Sequence, residues 1–143
     1  MNDNHTRILQ VRLLLIERCL RDIISKLEYD TNNSIYILYS FKNTITHERR
    51  TKILDIINSM FNEINQMKKK FALESKEISV IKSITGDLDE VWTTLENTRP
   101  EKMSIGYGNM SNIDEELLRP NILTLLPMVE NIYTELEYAR SDV

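Results

Sequence analysis

The sequence is poor in the residues that make turns, disulfides and histidine-based sites. Among 143 residues there are three glycines and three prolines, a scarcity that favours long helices over a turn-rich β fold. The single cysteine, Cys19, excludes an internal disulfide and fits a reducing compartment. Two histidines, His5 and His47, are too few for a histidine-based metal cluster within one chain. We therefore expect no metal site and no cofactor.

The sequence also lacks long uncharged stretches and an excess of positive charge. No stretch approaches the roughly 20 apolar residues of a membrane-spanning helix, and Arg12 interrupts the apolar run near the N-terminus, where no secretory signal is visible. The formal charge of −4 argues against a general nucleic-acid binder, which is usually basic. These absences make the cytoplasm the simplest expected location.

Four segments of the sequence share one apolar rhythm, in which steps of three and four residues alternate. The four sets are Leu9, Leu13, Ile16, Leu20, Ile23 and Leu27; Ile53, Ile57, Met60, Ile64, Met67 and Phe71; Ile78, Ile81, Thr85, Leu88, Trp92 and Leu95; and Ile122, Leu126, Val129, Tyr133 and Leu136. This spacing places one apolar stripe on each helix. It predicts an all-α domain over residues 1–143, an antiparallel four-helix bundle with short extra helical segments in the two long connections, 31–44 and 99–111.

Residues at the ends and inside the helices refine this prediction. The expected N-terminal caps are Asn4, Thr46, Ser75 and Ser111. Pro120 fits a helix start, so residues 112–119 are expected to form a separate turn, and Pro127 should kink the last helix. Gly86 suggests a close helix crossing. Cys19, four residues from two apolar neighbours, is expected to be a small buried hydrophobe.

Positive charge is concentrated where the second helix is expected to begin. Arg49, Arg50 and Lys52 follow His47, although acidic side chains usually occupy a first turn because they complement the helix dipole. Free backbone N–H groups and arginines at a helix start can bind an anion. The sequence therefore predicts a weak site for an anion or an acidic partner, made of His47, Arg49, Arg50 and Lys52.

The same segment suggests an alternative function. The run from Thr46 to Leu54, with the dipeptide His47-Glu48, locally resembles the H-box of sensor histidine kinases. The resemblance implies that His47 is a phosphoacceptor and that Glu48 is its acid/base partner. The protein would then be a phosphotransfer or dimerisation bundle.

Acidic residues suggest a second alternative. Glu74, Glu77, Asp87 and Glu90 are similar to the paired carboxylate motifs of the MazG-like nucleotide pyrophosphohydrolases, which are all-α enzymes. That resemblance implies a Mg²⁺ site formed by converging carboxylates. Solvated helix faces are the structural alternative for the same four residues.

The function that we predict from the sequence is non-catalytic: a protein-interaction or regulatory bundle, with a protein partner or a second copy of the chain. The expected interaction surface is an apolar group in the second long connection, consisting of Met103, Ile105, Tyr107 and Met110. Residues 46–72 hold six Lys and Arg against three Asp and Glu, whereas residues 101–143 hold three against eight. Regions of opposite charge can face each other within a bundle or between subunits.

Overall fold

The computed structural model describes residues 1–30 and 36–142 and is all-helical over that part. It contains five helices, α1 (Asp3–Leu27), α2 (His47–Lys70), α3 (Val80–Asn97), α4 (Pro100–Tyr107) and α5 (Asn112–Ser141), and the described residues form no strand. The short helix α4 confirms the extra helical segment expected in the second long connection. In the first connection, residues 36–44 are not helical, and the remainder of that prediction lies outside the described residues.

The chain divides into two compact units, Met1–Ser75 and Lys76–Val143. The first, here called the basic unit, contains twelve Lys and Arg against nine Asp and Glu, a net charge of +3. The second, the acidic unit, contains six against thirteen, a net charge of −7.

In the basic unit, α1 packs antiparallel on α2. Near the start of α1, the Gln10 amide donates to the carbonyl oxygen of Glu74, 2.8 Å away and beyond the end of α2. Near the middle, the Arg21 guanidinium lies 4.3 Å from the ring centroid of Phe61. Just beyond the end of α1, the Glu28 carboxylate lies 4.0 Å from Arg50 in the first turn of α2. Contacts in this order require antiparallel helices.

The apolar ladder of α1 is covered only along one edge. Leu20 and Leu27 are buried, but Ile16 and Ile23 are each 42% exposed. A single neighbouring helix covers only part of a stripe that a bundle would enclose from two sides. Cys19 is exposed, so the prediction that it is buried is wrong. Its helical position lies on the side of α1 away from α2.

In the acidic unit, α3 packs antiparallel on α5, and α4 contacts both. The Tyr133 hydroxyl of α5 donates to the Asp89 carboxylate of α3 over 2.5 Å, and Arg119 of α5 pairs with Glu101 of α4. The buried residues confirm the centres of the third and fourth predicted ladders; they are Leu88, Ile122, Leu126 and Val129. Ile78 is the exception, because it precedes α3 and is exposed.

Two of the four predicted caps are confirmed, and two are wrong. Thr46 and Ser111 accept hydrogen bonds from backbone N–H groups three residues ahead. The first helix begins at Asp3 and is capped by Asn2 rather than Asn4. The third is capped by Ser79 rather than Ser75.

The end of α2 explains why Ser75 is not a cap. The N–H of Leu73 bonds to the Lys68 carbonyl (2.8 Å) and the N–H of Ala72 to that of Lys69 (3.3 Å). These two bonds form a Schellman motif, with Ala72 in the left-handed conformation at φ 51°. The motif turns the chain back, and the Ser75 hydroxyl meets the Lys68 ammonium at 2.7 Å.

Prolines and glycines differ from expectation in the acidic unit. Pro120 lies inside α5, so residues 112–119 belong to the same helix and the predicted separate turn is wrong. Pro100 begins α4, where its missing N–H costs no helical bond, and it is fully buried. A Cβ at Gly86 would meet no atom within 4 Å, so the predicted close crossing is also wrong.

Candidate functional site

The start of α2, where the sequence predicts an anion site, is held by local hydrogen bonds. The Asn43 amide donates to the carbonyl oxygens of Leu27 and Tyr29, each at 3.0 Å, and so covers the end of α1. The Asn43 side-chain oxygen accepts from the N–H of Ile45 at 3.1 Å. Thr46 then accepts from the Arg49 N–H at 3.3 Å and begins the helix. Asn43 therefore connects the two helices of the basic unit, a role that the sequence analysis missed.

The four side chains of the predicted anion site differ in what they contact. Lys52 pairs with Glu48 at 3.2 Å, and Arg50 lies 4.0 Å from Glu28. The Arg50 Nε is buried and has no hydrogen-bond partner among the described residues. His47 and Arg49, two residues apart in the first turn, are exposed. The anion site stays a prediction, with part of its positive charge already paired.

The residues of the H-box resemblance are placed at the very start of α2. His47 is the first helical residue and is exposed. The Glu48 carboxylate forms its ion pair with Lys52, one turn further along the helix.

The four carboxylates of the pyrophosphohydrolase resemblance do not occupy equivalent positions. Glu74 and Glu77 lie in the connection that precedes α3, whereas Asp87 and Glu90 are exposed on α3. Within the described ranges, no three His, Cys, Asp or Glu side chains are grouped in a way that could hold a metal ion.

The predicted interaction surface at 103–110 is divided by burial. Ile105 and Tyr107 are 85% and 91% exposed on α4, whereas Met103 and Met110 are partly buried. Met110 follows Gly108, whose φ of 100° ends α4, and its N–H bonds to the Ser104 hydroxyl at 3.3 Å. Of these four residues, only Ile105 and Tyr107 thus present large apolar area to solvent.

An aromatic cluster covers the described part of the first long connection. Tyr29 stacks on Phe41 and Tyr36 on Tyr39, each with ring centroids 4.3 Å apart, and edge contacts join the two stacks. At its tip, Ile37 and Leu38 are almost completely exposed. The sequence showed aromatic content here but not the contribution of Tyr29 from the end of α1.

Two tyrosines have strongly shifted acidity, one in each unit. A hydrogen bond with Tyr36, together with burial, raises the pKa of Tyr29 to about 12. The hydrogen bond to the Asp89 carboxylate, followed by burial, raises the pKa of Tyr133 to about 12. Both shifts favour the neutral phenol and stabilise the structure without indicating an acid or base for catalysis.

Each unit leaves a second apolar surface uncovered. In the basic unit this surface, here called the basic-unit face, consists of Ile16, Ile23, Ile56 and Met60, which are 42–62% exposed. In the acidic unit the corresponding acidic-unit face consists of Ile84, Val91, Leu125, Met128 and Ile132, which are 37–54% exposed.

Helical geometry shows that each face is continuous across its pair of helices. At about 100° per residue, Ile23 is rotated backwards from buried Leu20 by about 60°, and Ile56 from buried Ile57 by about 100°. The same backward rotation relates Val91 to Leu88 in α3 and Leu125 to Leu126 in α5. Because the paired helices run antiparallel, rotation in the same sense brings both sets to one side of the pair.

Comparison with known proteins adds no assignment. No protein-family model matches the chain, and neither a curated protein nor a solved structure has significant similarity to it. Among the described residues, no helix has the length and apolar character required to traverse a bilayer.

Proposed function

We propose that this protein is a non-catalytic helical interaction module in which the basic and acidic units bind each other through their apolar faces. Within one chain this contact makes an antiparallel four-helix bundle. Exchange of units between two chains makes a homo-oligomer. The observation that carries the proposal is the pair of uncovered apolar faces, one on each unit.

The opposite charges of the units support mutual recognition. The basic unit carries +3 and the acidic unit −7, so their attraction favours encounter of unlike units and disfavours contact between two acidic units. Apolar area supplies affinity, and complementary charge supplies selectivity. The occupant of the basic-unit face is therefore the acidic unit, in the same chain or in a second copy.

The experiment introduces a charge at the centre of each face. Met60→Glu and Met128→Glu place a carboxylate on the basic-unit and acidic-unit faces. Asn62→Glu and Asn131→Glu are matched controls, because they add the same carboxylate to exposed positions on the outer sides of the same helices. The free energy of unfolding is measured by denaturant titration, and the molecular mass in solution by light scattering.

If the two faces are in contact, each Met variant should lose about 2 kcal/mol or more of unfolding free energy, because the buried carboxylate would lack a partner. The controls should remain within about 0.5 kcal/mol of the parent protein. If the parent protein has the mass of a monomer, the contact lies within one chain. If it has the mass of a dimer, and Met60→Glu or Met128→Glu lowers that mass, the units are exchanged between two chains. Equal stability of the Met and Asn variants, with unchanged mass, would overturn the proposal.

Ile105 and Tyr107 belong to neither face and remain available to a protein partner. We include this contact, and a cytoplasmic location that fits the unpaired Cys19, in the proposal. The phosphotransfer and pyrophosphohydrolase alternatives stay predictions, since the described contacts of His47 and of the four carboxylates favour neither of them.

A further inference from the structure

A cleft between α1 and α2 lies wholly within the basic unit, apart from both the basic-unit face and the start of α2. Its volume is about 300 Å³, which is sufficient for a single small metabolite. The apolar part of its lining is formed by Phe61 and Ile64 of α2. Its charged part is formed by Glu17 and Arg21 of α1 and by Lys68 of α2.

The two cations of the cleft are held in place without being neutralised. The Arg21 guanidinium carbon lies over the Phe61 ring, 4.3 Å from its centroid. A cation–π contact does not occupy the guanidinium N–H groups with an acceptor oxygen, so they can bind a planar anion. Lys68 donates to the Ser75 hydroxyl at 2.7 Å, which orients its ammonium and leaves further donors. Neither cation forms an ion pair with another described residue.

The carboxylate of the cleft is also unpaired. Glu17 stands four residues before Arg21, a spacing at which the two side chains normally form an ion pair. In this structure Arg21 instead contacts Phe61, and Glu17 makes no ion pair or hydrogen bond with the rest of the described chain. The cleft is thus lined by two cations and one anion, none of them in an ion pair with a described residue, together with two apolar side chains.

We propose that this cleft binds a small zwitterion of the α-amino acid class. Arg21 and Lys68 bind its carboxylate, Glu17 binds its ammonium group, and Phe61 and Ile64 contact an aliphatic side chain. A ligand with one charge satisfies only part of this arrangement, because an anion alone lies near the Glu17 carboxylate and an amine alone lies near two cations.

The test uses three molecules that share one branched aliphatic chain: L-leucine, isocaproate, which lacks the amino group, and isoamylamine, which lacks the carboxylate. Each is titrated into the full-length protein while backbone amide resonances are followed by NMR. We expect saturable shifts at residues 17–21 and 61–68 for L-leucine. Its dissociation constant should be at least roughly tenfold lower than that of either analogue.

Four variants separate the cleft from general charge effects. Arg21→Gln should weaken L-leucine and isocaproate binding roughly tenfold and leave isoamylamine unchanged or tighter. Glu17→Gln should weaken L-leucine and isoamylamine binding and leave isocaproate unchanged or tighter. The controls Arg18→Gln and Lys69→Met remove a positive charge beside the cleft but not from its lining, and should leave L-leucine binding unchanged.

Three results would overturn the inference: no saturable shift with L-leucine, equal affinity for L-leucine and isocaproate, or tighter binding of inorganic phosphate than of L-leucine. The last two would identify a plain anion site. Thermal unfolding of each variant shows whether a loss of binding reflects a loss of fold. The outcome is independent of the proposed contact between units, because Met60 and Met128 do not line the cleft.

Discussion

The basic and acidic units bury their apolar stripes to different extents. In the acidic unit, α4 joins the α3–α5 pair, and Leu126 at the centre of its predicted ladder is buried. In the basic unit, α2 is the only described helix that contacts α1, and Ile16 and Ile23 of the predicted ladder remain 42% exposed. The apolar stripe on α1 is therefore wider than its single described neighbour can cover.

The apolar ladder of α1 therefore points between α2 and a second potential neighbour. Its buried edge is centred on Leu20 and faces α2, and its exposed edge continues into the basic-unit face. A stripe of this width is typical of a helix inside a bundle. Three measurements test this difference between the two units.

The largest effect is expected from truncation of the two interiors. Ile57→Ala in the basic unit and Leu126→Ala in the acidic unit should each cost about 2–5 kcal/mol of unfolding free energy, because both side chains are about 4% exposed. The single tryptophan, Trp92, reports on the acidic unit. If the units unfold together, Ile57→Ala lowers the denaturant midpoint seen by Trp92 fluorescence as well as by circular dichroism.

A control for long-range effects is Asn62→Ala, which alters an exposed position on α2 and should leave both midpoints in place. If Ile57→Ala shifts only part of the circular dichroism transition and leaves the Trp92 midpoint unchanged, the two units fold independently.

A smaller effect on the free energy of unfolding is expected from substitutions at one alanine in the basic unit and one glycine in the acidic unit. The basic unit has alanine at φ 51° (Ala72), whereas the acidic unit has glycine in an open helical position (Gly86). Ala72→Gly should stabilise by about 1 kcal/mol, because it removes left-handed strain. Gly86→Ala should stabilise by about 0.5–1 kcal/mol, because alanine favours the helix.

Denaturant midpoints measure both substitutions. Gly108→Ala is the control of opposite sign and should destabilise, because Gly108 has a φ of 100°. Destabilisation by Ala72→Gly would contradict a left-handed conformation of residue 72.

The smallest effect concerns the two tyrosines with raised pKa values. Folded-state values near 12 lie above the ordinary 10.0, so the associated stability is present below pH 10 and is lost as the pH rises from 10 to about 12. Asp89→Asn should return the pKa of Tyr133 toward 10 and leave Tyr29 unchanged. Tyr36→Phe should lower the pKa of Tyr29 and also that of Tyr39, which burial and a hydrogen bond with Tyr36 raise, and leave that of Tyr133 unchanged. Absorbance of the phenolate during a pH titration measures both, and a common shift in both variants would contradict the separate causes.

The apolar rhythm was sufficient to predict the helical class and the buried centres of α3 and α5. It could not predict which edge of the α1 stripe is buried. The periodicity shows on which side of the helix the apolar stripe lies, but not how many other helices pack against that side. Ile16 and Glu17 are adjacent in sequence, and the structure places Glu17 toward α2 while Ile16 remains half exposed. The exposure of Cys19 has the same origin.

Local signals predicted only two of the four caps correctly. Thr46 and Ser111 are caps, whereas Ser75 competed with Ser79. The competition was decided by the Schellman motif after Lys70, which has alanine rather than the expected glycine and was therefore not visible in the sequence. The cleft between α1 and α2 could not be predicted, because it depends on the contact of Arg21 with Phe61, a residue distant in sequence.

The two internal prolines of α5 have a consequence for the shape of that helix. Pro120 and Pro127 are exposed and seven residues apart, so they lie on nearly the same side of α5, opposite the buried line through Ile122 and Val129. Each proline leaves the carbonyl four residues earlier without its helical donor, and water can bond to it on that side. Lengthening of the outer side alone bends a helix toward its inner side. We therefore expect α5 to be a curved helix whose concave side faces α3, and whose curvature is caused by the two prolines.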